Sequence, residues 1–90
     1  MVDNYVEQIR DFIVEKALIQ FSNVKSMGLA PNRINLIIQS RTKPSEDFLN
    51  IKNDNFTKSY MEDDGYYVLV LVGLNTQETV DEIKKALLLY

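Results

Sequence analysis

Apolar residues in the first third of the chain recur every three or four positions. Val2, Val6, Ile9, Ile13, Ala17, Phe21, Val24 and Met27 form one stripe on a helical wheel, with Glu7, Asp11, Glu15 and Gln20 opposite. Asn4 and Glu7 stand at capping-box spacing, and Gly28 is placed to close a helix in the left-handed conformation. The pattern predicts a first helix over residues 4–27.

Beyond the connector Ala30-Pro31-Asn32 the rhythm changes to two. Ile34, Leu36 and Ile38 alternate with Asn35, Ile37 and Gln39, as in a strand with one buried face. Residues 41–47, which include Pro44, read as a loop in which Ser45 with Glu46 and Asp47 is equally able to cap one helical turn. Residues 48–53 fit strand, turn or loop. Alternation returns over 56–62, Asp64-Gly65 supplies the positive-φ pair of a tight hairpin, and 66–73 is the clearest strand. Asn75 and Glu78 repeat the capping-box spacing. Val80, Ile83, Leu87 and Tyr90 then continue an apolar stripe, so the second helix runs to the end of the chain. Lys84 and Lys85 suit the negative end of that helix, and Asp81 is spaced to pair with Lys85.

Ninety residues, 46% of them hydrophobic, suffice for one small domain spanning 1–90. The expected fold class is α+β: a two-layer α-β-β-β(-β)-α arrangement with an antiparallel sheet and both helices on one face. A parallel sheet is disfavoured because no helical crossover separates the strands. Acidic residues among the first twenty break any signal-peptide hydrophobic region, and the apolar run at 66–74 is far short of the roughly 18 residues of a membrane span. A cytoplasmic protein is expected. Abundant Ile, Asn, Lys and Tyr with few Ala, Gly and Pro is the bias of AT-rich coding, as in phage and mobile-element proteins.

Histidine, cysteine and tryptophan are absent. Thiolate and imidazole nucleophiles, Cys/His zinc sites and disulfides are therefore excluded. The serines have no histidine to activate them. Gly28, Gly65 and Gly73 are isolated, unlike the glycines of a phosphate loop, and Glu78, Asp81 and Glu82 oppose an anion at the second helix. The acidic turn Glu62-Asp63-Asp64-Gly65 is the densest set of carboxylates. A magnesium- or calcium-dependent carboxylate enzyme is thus one alternative, although Asp-Gly is accounted for by turn geometry. No enzyme, cofactor or metal is expected.

The element order resembles that of the double-stranded RNA-binding domain, which would imply a nucleic-acid-associated protein as a second alternative. The residues oppose it: the net charge is -3, and the start of the second helix offers Gln77, Glu78, Asp81 and Glu82 where basic side chains would have to face phosphates. Arg33, Arg41 and Lys43 are spread over a strand and a loop.

Surplus hydrophobicity carries the leading reading. Tyr66, Val68, Val70 and Val72 point to one face of the last strand and Tyr67, Leu69 and Leu71 to the other, so both faces need cover that two helices on one side cannot supply. Tyr5, Phe12 and Ile19 recur every seven residues on the shoulder of the first helix, and Leu88-Leu89-Tyr90 is apolar to the last residue. The competing account folds the 41–55 loop over the second sheet face and places the helix shoulder in the core. The sequence reading is a non-catalytic protein-binding or assembly module, most simply a homodimer. Its interface is expected among Tyr5, Phe12, Ile19, Ile37, Tyr66, Tyr67, Val68, Leu69, Val70, Leu89 and Tyr90.

Overall fold

A computed structural model describes residues 4–28 and 32–90. The sequence expectations for Val2 and for Ala30-Pro31 lie outside the described residues. The elements in chain order are α1 (Tyr5–Glu15), β1 (Phe21–Ser26), β2 (Arg33–Ser40), α2 (Glu46–Leu49), β3 (Phe56–Asp63), β4 (Tyr66–Leu74) and α3 (Gln77–Leu89). The sheet order is β1-β2-β4-β3, with every neighbouring pair antiparallel. The fold is α+β. Two hairpins, β1–β2 and β3–β4, are joined by a connection that carries α2 and places β3 on the far side of β4. Among the described residues no helix is long and apolar enough to cross a membrane.

The first helix is shorter than its stripe predicts. It stops at Glu15, where Ala17 takes the left-handed conformation at φ 55°. There the Leu18 and Ala17 N–H groups donate back to the Ile13 and Val14 carbonyls at 2.9 and 3.1 Å. Residues 21–26, read as helix, form β1. The misleading period has a specific cause. Register between β1 and β2 slips between Ser22 and Lys25, with Asn23 at φ 54°, so a bulge adds one residue to the strand. Phe21 and Val24, three apart, are therefore both buried, and an interrupted strand imitates the spacing of a helix.

The caps also differ from the expected ones. Asn4 makes no side-chain cap; its carboxamide oxygen accepts from Gln8 at 3.0 Å, and Glu7 pairs with Arg10 at 2.9 Å. In α3 the cap is Thr76 rather than Asn75, its hydroxyl accepting from the Thr79 N–H at 3.2 Å. Lys85 lies beside Glu82 at 3.4 Å, while Asp81 accepts from Gln77. Ser45 caps the single turn of α2 by accepting from the Phe48 N–H at 3.1 Å.

One set of alternate strand positions makes the core. Ile34, Leu36 and Ile38 stand opposite Gly73, Leu71 and Leu69, and all five side chains are fully buried. Ile9 and Ile13 of α1, Phe48 of α2, and Val80, Ile83, Ala86 and Leu87 of α3 join the same cluster. Burying each such aliphatic side chain contributes about 1.5–3 kcal/mol, and nothing covalent assists. Gly73 owes its place to packing: a Cβ there would lie 2.6 Å from the Asn55 carbonyl oxygen and from the Phe56 Cβ. The 41–55 connection folds onto the core, where Phe48 is buried and Ile51 packs against it. It does not supply the cover for the second sheet face that the competing account required.

Candidate functional site

Strand alternation places the remaining side chains of the sheet on its other face. On β4 these are Tyr66, Val68, Val70, Val72 and Leu74. The register sets Gln39, Ile37, Asn35 and Arg33 of β2 opposite the last four, and Met61, Ser59 and Thr57 of β3 opposite the three valines. Ile37, Val68, Val70 and Val72 are half-buried, and none belongs to the core cluster or packs against it. Met61 is 62% exposed, and Tyr66 and Leu74 are 42% exposed. The result is an apolar line along β4, widened by Ile37 and Met61. Its border is polar: Lys25 opposite Ile37, then Arg33, Asn35, Gln39, Thr57, Ser59 and Asp63. Asn35 is itself buried, its Nδ2 donating to the Arg33 carbonyl at 3.2 Å, and the Asn23 amide donates to Gln39.

Of the eleven expected interface residues, Ile37, Tyr66, Val68 and Val70 come together on this face. The others are dispersed. Leu69 is fully buried in the core, on the opposite side of β4, and carries the fold. Tyr67 shares that side, with its ring 6.2 Å from Tyr60. Tyr90 is inserted against Phe21 and Phe48, and its hydroxyl donates to the Thr42 carbonyl. Burial of the Tyr90 phenol raises its pKa above the ordinary tyrosine value. Tyr5 and Phe12 are half-buried and pack against the core; the Tyr5 hydroxyl meets the Ser26 hydroxyl at 3.2 Å, and the Lys84 ammonium lies 5.8 Å from the Phe12 ring centre. Leu89 is exposed at the end of α3. Ile19 is on no helix: it lies in the turn between α1 and β1 and, like Val14, is 80% exposed.

Sequence reasoning missed Met61 and Leu74, although period-two counting through β3 and β4 puts both on the apolar face. It also missed a groove of about 450 Å³ between α1 and β1, lined by Arg10, Ile13, Val14, Phe21 and Lys25 among others. That groove exists because residues 21–26 turn back as a strand beside the helix rather than prolonging it.

The acidic turn is a hairpin, with Asp64 at φ 52° and Gly65 at φ 87°. Among the described residues no three His, Cys, Asp or Glu side chains are grouped closely enough to hold a metal ion. Arg33 opens β2 and Arg41 lies just beyond its other end, about 26 Å away at the rise of an extended strand, so these basic residues form no single patch. Comparison with known proteins returns no match: no family model, no curated protein and no solved structure matches this chain.

Proposed function

We propose that the chain is a non-catalytic protein-binding module that self-associates through the outer face of its sheet. The observation that carries this reading is the line Tyr66, Val68, Val70, Val72 and Leu74, flanked by Ile37 and Met61, outside the core and bordered by polar side chains. An apolar centre with a polar rim is the anatomy of a docking surface. Four strands at about 4.8 Å spacing and eight residues at about 3.3 Å rise span roughly 500 Å² of plane. Two such faces reach the roughly 1,000 Å² from which specific interfaces begin. A second copy is the simplest partner because the rim has opposite charges at its two sides, Lys25 on β1 and Asp63 on β3. A two-fold stack that brings β1 of one copy over β3 of the other turns this asymmetry into attraction. The absence of cysteine suits a cytoplasmic setting.

Sedimentation equilibrium tests the reading. The expected result is a species of at least twice 10.4 kDa at micromolar concentration, shifted towards the monomer by Val70→Asp with the circular dichroism spectrum unchanged. A 10.4 kDa species throughout the micromolar range overturns it.

A further inference from the structure

The two edges of the sheet are not alike. β1 is short and bulged, and its Val24 carbonyl accepts from Arg10 Nε at 3.1 Å and Nη2 at 2.7 Å, so its outward side is partly sealed. β3 runs eight residues in unbroken register with β4 and contains neither a bulge nor a proline. The Asn55 carbonyl accepts from the Leu74 N–H at 2.9 Å, which fixes the phase of the ladder. Residues 57, 59, 61 and 63 therefore bond to β4, while Phe56, Lys58, Tyr60 and Glu62 direct their N–H and C=O groups away from the sheet.

We propose that β3 pairs antiparallel with β3 of a second copy about a two-fold axis at Tyr60, joining the two sheets into one of eight strands. This rests on the self-association reading but uses a different surface, and the two contacts are compatible in one assembly. Charge selects the register. With Tyr60 opposite its own copy, Lys58 stands opposite Glu62 of the second copy, twice by symmetry, and Thr57 opposite Asp63. A shift of two residues in the pairing sets Lys58 opposite Tyr60 or Asp64, and larger shifts bring Lys58 against Lys58 or Glu62 against Glu62. A lysine on the core side of an edge strand normally discourages pairing; here the pairing partner carries the carboxylate that satisfies it. The Lys58 ammonium donates to the Ile51 carbonyl at 2.7 Å, which leaves two of its three protons for that carboxylate.

Because the chain has no cysteine, a single introduced thiol reads the geometry directly. Opposed residues of a hydrogen-bonded antiparallel pair have Cα atoms about 5.5 Å apart, within the disulfide range of about 4.4–6.8 Å. The two copies of residue 57, six positions out of register with each other, are about 20 Å apart. Tyr60→Cys is expected to form an intermolecular disulfide under mild oxidation at least roughly tenfold faster than Thr57→Cys; equal rates overturn the proposal. Glu62→Lys places like charges opposite each other and is expected to weaken the edge contact roughly tenfold, with recovery in Lys58→Glu/Glu62→Lys. Should the double variant not fold, the thiol comparison and Glu62→Lys decide alone. Adding Val70→Asp to Tyr60→Cys separates the surfaces. A retained cross-link with reduced mass supports the edge. In Tyr60→Cys with Val70 intact, persistent association without a cross-link overturns the edge and leaves the face reading standing, and a monomer without cross-linking overturns both.

Discussion

Phe21 and Tyr90 meet edge to face with ring centres 4.9 Å apart, joining the first strand to the last residue of the chain. Tyr90 makes a second edge contact with Phe48 at 5.1 Å. Ser45 completes the junction: its N–H donates to the Tyr90 carbonyl at 2.8 Å and its hydroxyl to the Leu89 carbonyl at 2.6 Å. One aromatic ring thus closes β1, α2 and the end of α3 on each other.

Tyr90→Ala is expected to cost about 2–3 kcal/mol, less than a fully buried aromatic because the ring is half-exposed. Tyr90→Phe keeps both ring contacts and loses the hydroxyl's hydrogen bonds, to the Thr42 carbonyl and with Ser40, about 1–2 kcal/mol. Urea denaturation of the two variants checks the order; equal losses would mean that the hydroxyl, not the ring, holds the junction.

Phe21 and Phe12 separate core from shoulder. Phe21 is buried in the core cluster, so Phe21→Ala is expected to cost about 3–5 kcal/mol and to leave a domain of this size barely folded. Phe12 is half-buried on α1 beneath Lys84, and Phe12→Ala is expected to leave the fold intact at a cost of about 1–2 kcal/mol. Denaturation under conditions where both variants are in the same association state measures both. Equal destabilisation would make the α1 shoulder ordinary core.

Alkaline pH acts through Tyr90. Desolvation is the main cause of its raised pKa, opposed in part by a hydrogen bond from Ser40 and reinforced by Tyr67 and Tyr60. The folded state therefore favours the neutral phenol. Its contribution is present in full below the unfolded tyrosine pKa of about 10 and is lost as pH rises through the higher folded value. The urea midpoint is expected to fall above pH about 10, and to fall less steeply in Tyr90→Phe. Identical slopes would show that the Tyr90 phenol does not carry the alkaline loss.

What was legible in the sequence depended on regular period. Ile34, Leu36 and Ile38, and Leu69 with Leu71, alternate without interruption, and both strands lie where that alternation places them. β1 was illegible because the bulge at Asn23 puts Phe21 and Val24 three residues apart on one face, a spacing that a helix produces by default. Single residues decided the caps: Asn75 and Thr76 are both acceptable N-cap types, and Thr76 is the one that caps α3. The outer sheet face was half legible. Tyr66, Val68 and Val70 follow from alternation within β4, whereas Met61 joins them only through the β3–β4 register, which depends on the two-residue turn at Asp64-Gly65.

Gly73 tests how closely the sheet and α3 are packed. It is paired with Ile34 on one side and Phe56 on the other, at the point where β4 gives way to α3. An added Cβ would meet the Asn55 carbonyl oxygen and the Phe56 Cβ at 2.6 Å, and the Thr79 Cγ2 at 3.0 Å. The first contact is with backbone that also accepts the Leu74 N–H, so it cannot yield without opening the β3–β4 pair. Gly73→Ala is therefore expected to cost about 2–3 kcal/mol, a large share of the roughly 5–13 kcal/mol of a domain this size. Thr79→Ser removes the Cγ2 and keeps the hydroxyl that meets Thr76 at 2.9 Å. Adding it to Gly73→Ala is expected to recover little, since the two contacts at 2.6 Å remain. Substantial rescue by Thr79→Ser in thermal denaturation would instead show that the strands part easily at this end and that α3 alone sets the limit.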